Sequence, residues 1–294
     1  MKQGYITIVG RPNAGKSTLI NHLLGKKLAI VSRKAQTTRN VILGLYKDDD
    51  SNILFIDTPG IHSPINLLGR YMNREAVSNL ESCDVLYYLY DASKRFTTED
   101  EAIIKHFNKL ECPIFLVLSK IDLISKDELI LKINELQTKF NFTEIIPISV
   151  INNDNIAKLL KLSKAYLYES EYQLSDDFFK ISNSFQISEL IREILIDKFH
   201  DEIPYQLTVI CEEIRYTEKR IYASVSIIVG SKTHKAMIIG KGASSLREIN
   251  YRASKSISNE LGRRCELSIF VKVDEKWFNK EAKLNSYGYK HLND

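Results

Sequence analysis

Cysteine is scarce in this chain and badly spaced for chemistry. Its four, Cys83, Cys112, Cys211 and Cys265, lie far apart and form no Cys-x-x-Cys pair. That argues against a zinc site or a disulfide framework and makes a reducing cytosol the expected setting. The histidines His22, His62, His106, His200, His234 and His291 show no ligand spacing, and none is assigned chemistry. No apolar run approaches the roughly 20 residues that span a bilayer, so any membrane contact is expected to be peripheral. The opening MKQGYITIVG enters a strand-like pattern at once, without an apolar segment leading to a small-residue cleavage site, and no signal peptide is expected. Internal repeats and low-complexity tracts are also missing.

What is present has room for two cores. A chain of 294 residues is long for one domain and comfortable for two, and 44% hydrophobic with 27% charged residues is the balance of a globular protein rather than a disordered one. The net charge of +4 is unevenly spread: residues 205–294 carry 16 Lys and Arg against 10 Asp and Glu, or +6, leaving 25 against 27, or −2, for the remainder. A polyanionic partner is therefore sought first at the C-terminal part. Up to residue 168, short β-rich runs (5–9, 41–46, 52–56, 85–90, 114–118, 145–148) alternate with helical patterns near 16–24, 66–80, 99–109, 126–139 and 153–168. This order predicts an α/β domain, a mainly parallel sheet with helices on both faces and ligands at the strands' C-terminal ends. The acidic, polar stretch 169–180 reads as a linker. Residues 181–294 then read as an α+β domain: a helix with Ile187, Leu190, Ile191, Ile194, Leu195 and Phe199 at helical spacing, followed by β-β-α-α-β. In that pattern KAMIIG is a short apolar piece before a GKGA turn.

GRPNAGKS, Gly10 to Ser17, fits G-x-x-x-x-G-K-[ST] between a strand and a helix, the context a phosphate cradle requires. Its backbone N–H groups can turn inward around phosphate oxygens at a helix start, so Gly10, Asn13, Ala14, Gly15, Lys16, Ser17 and Thr18 are candidate nucleotide ligands. Lys16 would reach the terminal phosphates and Ser17 would place its hydroxyl on Mg²⁺. DTPG, Asp57 to Gly60, follows the apolar run NILFI. Asp57 can hold the metal's water shell, and Gly60 can offer its N–H to the terminal phosphate, making the loop a sensor of that group. SKID, Ser119 to Asp122, follows IFLVL. A carboxylate at Asp122 can accept from both guanine N1–H and the exocyclic amine, a pair that adenine lacks, which points to GTP rather than ATP.

These stations in this order, GRPNAGKST, SRKAQTTRN, DTPG and SKID with the β-β-α-α-β tail, resemble the Era family of bacterial ribosome-assembly GTPases over essentially the whole chain. The resemblance implies a P-loop GTPase domain (1–168) and a type II KH domain (181–294). It implies GTP and GDP as ligands, Mg²⁺ as cofactor, the 3′ end of 16S rRNA and the 30S subunit as partners, peripheral inner-membrane association of a cytoplasmic protein, and a monomer with no assignable protein partner. Ser119, Lys120, Asp122, Ser149 and Val150 fall at the guanine-binding positions. The family pattern has Asn where Ser119 stands and S-A-x-x-G where SVINN stands. A hydroxyl can do part of the Asn's work, and Val150 keeps its N–H but adds bulk, so weaker affinity or looser specificity is expected.

The position that carries a water-orienting Gln in Ras-like enzymes is Ile61 here, so slow intrinsic hydrolysis is expected. Asn13 matches the position that helps potassium-activated relatives hold a monovalent cation, which implies K⁺ stimulation; the plainer reading is that Asn13 only shapes the loop. Thr38 is the expected switch ligand of Mg²⁺, with Thr37 as the fallback. Lys16, Thr38, Gly60 and Asn13 form the candidate catalytic set, with Ser17, Thr38 and Asp57 as the metal set.

IIGKGASSLREI resembles the G-x-x-G turn of a type II KH domain, which clamps single-stranded RNA. Gly240, Lys241, Gly242, Ala243 and Arg247 are its candidate RNA contacts. Ala243 stands where the pattern has Gly, and its methyl group could crowd the RNA backbone. Lys235, Arg252 and Lys255 could extend the basic surface, and Trp277 reads as packing against the sheet more readily than as a stacking platform. The competing reading is a non-enzymatic RNA-binding scaffold with a decayed nucleotide site. Ser119, Val150 and Asn153 favour it; the intact Lys16, Ser17, Asp57, Gly60 and Asp122 oppose it.

Overall fold

The computed structural model describes residues 1–32, 34, 36–81, 83–171 and 181–289. The chain divides into two compact units, one of residues 1–65 and 69–180, the other of 181–294 with 66–68.

In the first unit the strands are β1 (Lys2–Val9), β2 (Ile42–Lys47), β3 (Ser51–Asp57), β4 (Val85–Asp91), β5 (Ile114–Ser119), β6 (Glu144–Pro147) and the short β7 (Tyr168–Glu169). The helices between them are α1 (Lys16–Leu24), α2 (Leu67–Ser78), α3 (Thr98–Phe107), α4 (Lys126–Gln137) and α5 (Ile156–Lys164). The sheet runs β2-β3-β1-β4-β5-β6, parallel except for β2, which pairs antiparallel with β3. Every residue of β3, β4 and β5 is buried, which explains why they read as unbroken apolar runs: a parallel sheet covered on both faces has no polar side. Because β1 has β3 on one side and β4 on the other, its C-terminal end lies where the strand order reverses, and open α/β sheets bind ligands there. The loops after β1, β3, β5 and β6 all leave that same edge.

One expectation needs correction. The linker was expected from residue 169, yet Tyr168–Glu169 pairs antiparallel with Gln3 and Lys2, and the Ser170 N–H donates to the Met1 carbonyl at 2.9 Å. A two-residue strand has no periodicity to betray it. The rest of the expected linker, 172–180, lies outside the described residues.

In the second unit α6 (Asn183–Lys198), β8 (Leu207–Tyr216), β9 (Arg220–Val229), α7 (Lys232–Ile239), α8 (Ser244–Leu261), β10 (Arg264–Val273) and α9 (Glu281–Ser286) follow in order. The sheet is β10-β9-β8, with β9 antiparallel to β8 and parallel to β10. The α6 stripe Ile187, Leu190, Ile191, Ile194 and Leu195 packs with Ile249, Ala253 and Ile257 of α8 in one core, with Phe199 against its edge, the spacings that keep one helix face inward. KAMIIG forms part of α7, whose N-terminus is capped by the Ser231 hydroxyl accepting from the His234 N–H. Trp277 is fully buried, stacks on Tyr289 at 5.9 Å and donates its indole N–H to the Gln206 carbonyl at 3.0 Å. It is a packing residue, as an indole with a satisfied N–H in a core should be.

Candidate functional site

The loop from Gly10 to Ser17 closes because no side chain interferes at its two glycines. A Cβ at Gly10 would lie 2.3 Å from the Leu89 carbonyl oxygen, and Gly15 has φ 99°, which disfavours a side chain. Asn13 also takes a left-handed conformation, φ 65°, and is exposed. Ala14 is buried and Thr18 half-buried. Lys16 is 5% exposed and donates to the carbonyls of Gly10 and Arg11, both at 3.0 Å. Burial pulls its ammonium down to about 8, against the attraction of Asp57.

Three oxygen-bearing side chains meet beside it. The Ser17 hydroxyl donates to Asp57 Oδ2 at 2.7 Å and lies 2.8 Å from Thr38 Oγ1. With its one proton committed to the carboxylate, Ser17 accepts from Thr38. The Thr37 hydroxyl donates instead to the Lys34 carbonyl at 2.7 Å. Of the two adjacent threonines, Thr38 is thus the one brought to Ser17 and Asp57. Burial pushes Asp57 up to about 6, with Lys16 and the Ser17 hydrogen bond pulling the other way. Its Oδ1 is buried without a hydrogen-bond partner in the described residues. An orphan carboxylate oxygen beside two hydroxyls is a hard-oxygen donor set that suits Mg²⁺, which takes one or two protein groups and completes its shell with water and substrate phosphate. Among the described residues no cluster of three His, Cys, Asp or Glu offers a competing metal site.

The DTPG loop lies directly on the phosphate loop. A Cβ at Gly60 would be 2.7 Å from the Pro12 nitrogen and 2.9 Å from its Cα, and the Ile61 N–H donates to the Gly10 carbonyl at 3.3 Å. Ile61 itself is buried with Val9, Ala76, Leu80 and Leu86. It therefore both lacks a polar group and turns its side chain into the core.

At the other end of the site Ser119 Oγ is 2.6 Å from the Ala14 carbonyl and 3.2 Å from that of Tyr90. The hydroxyl thus ties the guanine loop to the phosphate loop, the part of the Asn's work expected of it. Lys120 adds a second tie, donating to the Asn13 carbonyl and to Asp91 Oδ2, both at 2.7 Å. Asp122 is exposed, and its Oδ1 accepts from the Ser149 hydroxyl at 2.6 Å. Val150 is half-buried. Asn153, where the family pattern has Gly, takes φ 58° and lies 3.0 Å from His22 Nε2 through its Oδ1. Asn is among the few side chains that accept this backbone, so the departure keeps the loop's conformation.

Sequence reasoning missed how Arg11 is held. Its guanidinium donates to Glu99 at 2.9 Å and to Asp100 at 3.2 Å, at the N-terminus of α3. Those partners are close only in space. It also missed that Cys83 and Cys112 come within 3.5 Å of each other, which their spacing of 29 residues does not suggest.

In the second unit Gly240 (φ 72°), Gly242 (φ 57°) and Ala243 (φ 60°) give a turn with three left-handed residues, and a Cβ at Gly240 would sit 2.8 Å from that of Ser245. Lys241 and Arg247 are exposed, and α8 starts at Ala243 with no side-chain cap. Its first N–H groups therefore lack a side-chain acceptor, which suits an anion. Lys235 is half-buried, while Arg252 and Lys255 lie on the following turns of α8, Arg252 near Glu248 at 3.7 Å. The Ala243 methyl group sits in a conformation that costs a non-glycine residue about 1–2 kcal/mol. We expect Ala243→Gly to raise stability by about 0.5–1 kcal/mol, the relief being partly offset by the freedom glycine gains in the unfolded chain. Urea-unfolding midpoints of the two proteins check this; an unchanged or lower midpoint rejects it.

A family model described as a 50S ribosome-binding GTPase matches residues 5–120, and one described as a KH domain matches residues 202–278. Two solved structures resemble the chain from end to end. One is an Aquifex aeolicus Era variant bound to GDP·AlF4⁻; the other is Era in complex with MgGDPNP and nucleotides 1506–1542 of 16S ribosomal RNA. Each is 35% identical, with a TM-score of 0.94, over 99% of this chain and 100% of the other. With identity at that level across both units, the chain belongs to the Era family of GTPases.

Proposed function

We propose that this chain is a GTP-hydrolysing switch whose KH domain binds single-stranded RNA at the 3′ end of 16S rRNA and assists assembly of the 30S subunit. The observation that carries it is the meeting of Ser17, Thr38 and the orphaned Asp57 carboxylate beside Lys16. The relative bound to MgGDPNP and 16S nucleotides supports both ligand classes.

Lys16 would leave the Gly10 and Arg11 carbonyls for the terminal phosphates, where its charge opposes the negative charge that spreads during in-line attack by water. Ser17, Thr38 and Asp57 would hold Mg²⁺, which when bound neutralises charge between the outer phosphates. The Gly60 N–H faces the terminal phosphate from the sensor loop, and Asp122 reads the guanine edge with the Val150 N–H behind it. Since Ile61 is turned into the core, no side chain at that position orients the water.

Asn13 would hold K⁺ beside the phosphates. The wild-type chain is expected to hydrolyse GTP roughly tenfold or more faster in K⁺ than in Na⁺, with Asn13→Ala removing the difference. Equal rates in the two salts would leave Asn13 as a loop-shaping residue, and no nucleotide binding in either would favour the RNA-binding scaffold instead.

A further inference from the structure

His62, one residue past Ile61, sits between two elements that a GTP switch must move together. Its backbone N–H donates to Asn73 Oδ1 at 3.3 Å, and its carbonyl accepts from Asn73 Nδ2 at 2.6 Å. That double contact fixes which end of the Asn73 amide is oxygen. The ring Nδ1, 3.1 Å from the same Oδ1, must then carry a proton, leaving Nε2 as an acceptor in the neutral ring. Across Nε2, at 2.7 Å, lies the Gln36 side-chain amide, the only described hydrogen bond of that side chain.

Gln36 lies two residues before Thr38 and takes φ 59°, a backbone conformation that costs a non-glycine residue about 1 kcal/mol or more and persists only while its surroundings hold it. The segment that delivers Thr38 to Ser17 and the loop that delivers Gly60 to Pro12 are thus joined through one imidazole, itself anchored on α2.

We propose that His62 is a positioning residue for hydrolysis: by bridging Gln36 to Asn73 it makes the placement of Thr38 and the placement of Gly60 a single event. The inference rests on the GTPase reading above and names a group within it that touches neither phosphate nor base. Because the bridge joins the segments that answer to the terminal phosphate, its loss slows turnover and spares GDP.

The test is a double-mutant cycle on the full chain with His62→Ala, Gln36→Ala and the pair, measuring kcat and KM for GTP, Kd for GDP and the thermal midpoint. Each single variant is expected to lose roughly tenfold in kcat with GDP affinity within about twofold of wild type. The double variant should be no slower than either single, since both remove the same bond. His62→Gln, which can still accept and donate, should recover most of the rate. The inference is overturned if the single losses multiply in the double variant, if kcat is unchanged, or if GDP affinity falls in step with kcat. A wild-type chain that neither binds nor hydrolyses GTP would bring down the proposed function and this inference with it, whereas an active wild type with multiplying losses removes the inference alone.

Discussion

Lys16→Ala is expected to lower kcat for GTP by about 10²–10³-fold, the loss seen when one preorganised donor is taken from developing negative charge. The ammonium is nearly fully buried and spans the loop from within, on the carbonyls of Gly10 and Arg11. Alanine removes the cation and leaves Asp57 buried with less opposing charge, so its carboxyl should rise further above about 6. Both effects weaken the hold on a metal-bound triphosphate. Single-turnover hydrolysis with saturating Mg²⁺ and GTP reads the effect, with the thermal midpoint showing that the variant folds. A rate within threefold of wild type would mean that Lys16 is a structural strut and that the phosphate charge is met elsewhere.

Gly60→Ala should slow hydrolysis by about 10²-fold, the order of loss that follows a displacement of about 1 Å at a reacting centre. The reason is local crowding. The added methyl would meet the nitrogen and Cα of Pro12, both backbone atoms of the phosphate loop, at 2.7 and 2.9 Å. Neither can swing away as a side chain would, so the DTPG loop must lift. Lifting carries the Gly60 N–H off the terminal phosphate and strains the Ile61 N–H bond to Gly10. GDP, which has no terminal phosphate, should bind nearly as before. If GDP affinity falls together with the rate, the methyl has deformed the phosphate loop itself and Gly60 is not a sensor.

The sequence disclosed those parts of the site in which chemistry and backbone conformation coincide. Lys16, Ser17, Asp57 and Asp122 occupy motif positions because loops at strand ends need those types, and the alternation of apolar runs with helical patterns is enough to order the strands. Thr37 and Thr38 could not be told apart, since adjacent residues share every local signal; only the contact with Ser17 separates them. Contacts between distant segments were out of reach for the same reason. Arg11 finds Glu99 and Asp100, His62 finds Gln36, and Cys83 finds Cys112 only once the sheet has brought their loops together. His62 had been assigned no chemistry because a search for ligand spacing cannot see a hydrogen-bonded bridge. The strand at Tyr168–Glu169 escaped because its pairing rests on backbone groups alone.

Trp277 is the chain's single indole, and it is buried in the second unit against Tyr289 and the Gln206 carbonyl. Emission excited selectively through tryptophan therefore reports on the RNA-binding half and leaves the nucleotide-binding half dark. A denaturant titration followed by that light and again by far-ultraviolet dichroism gives two curves from one sample. Their superposition or separation tells whether the halves melt as one body or as two, without a dye or an engineered label.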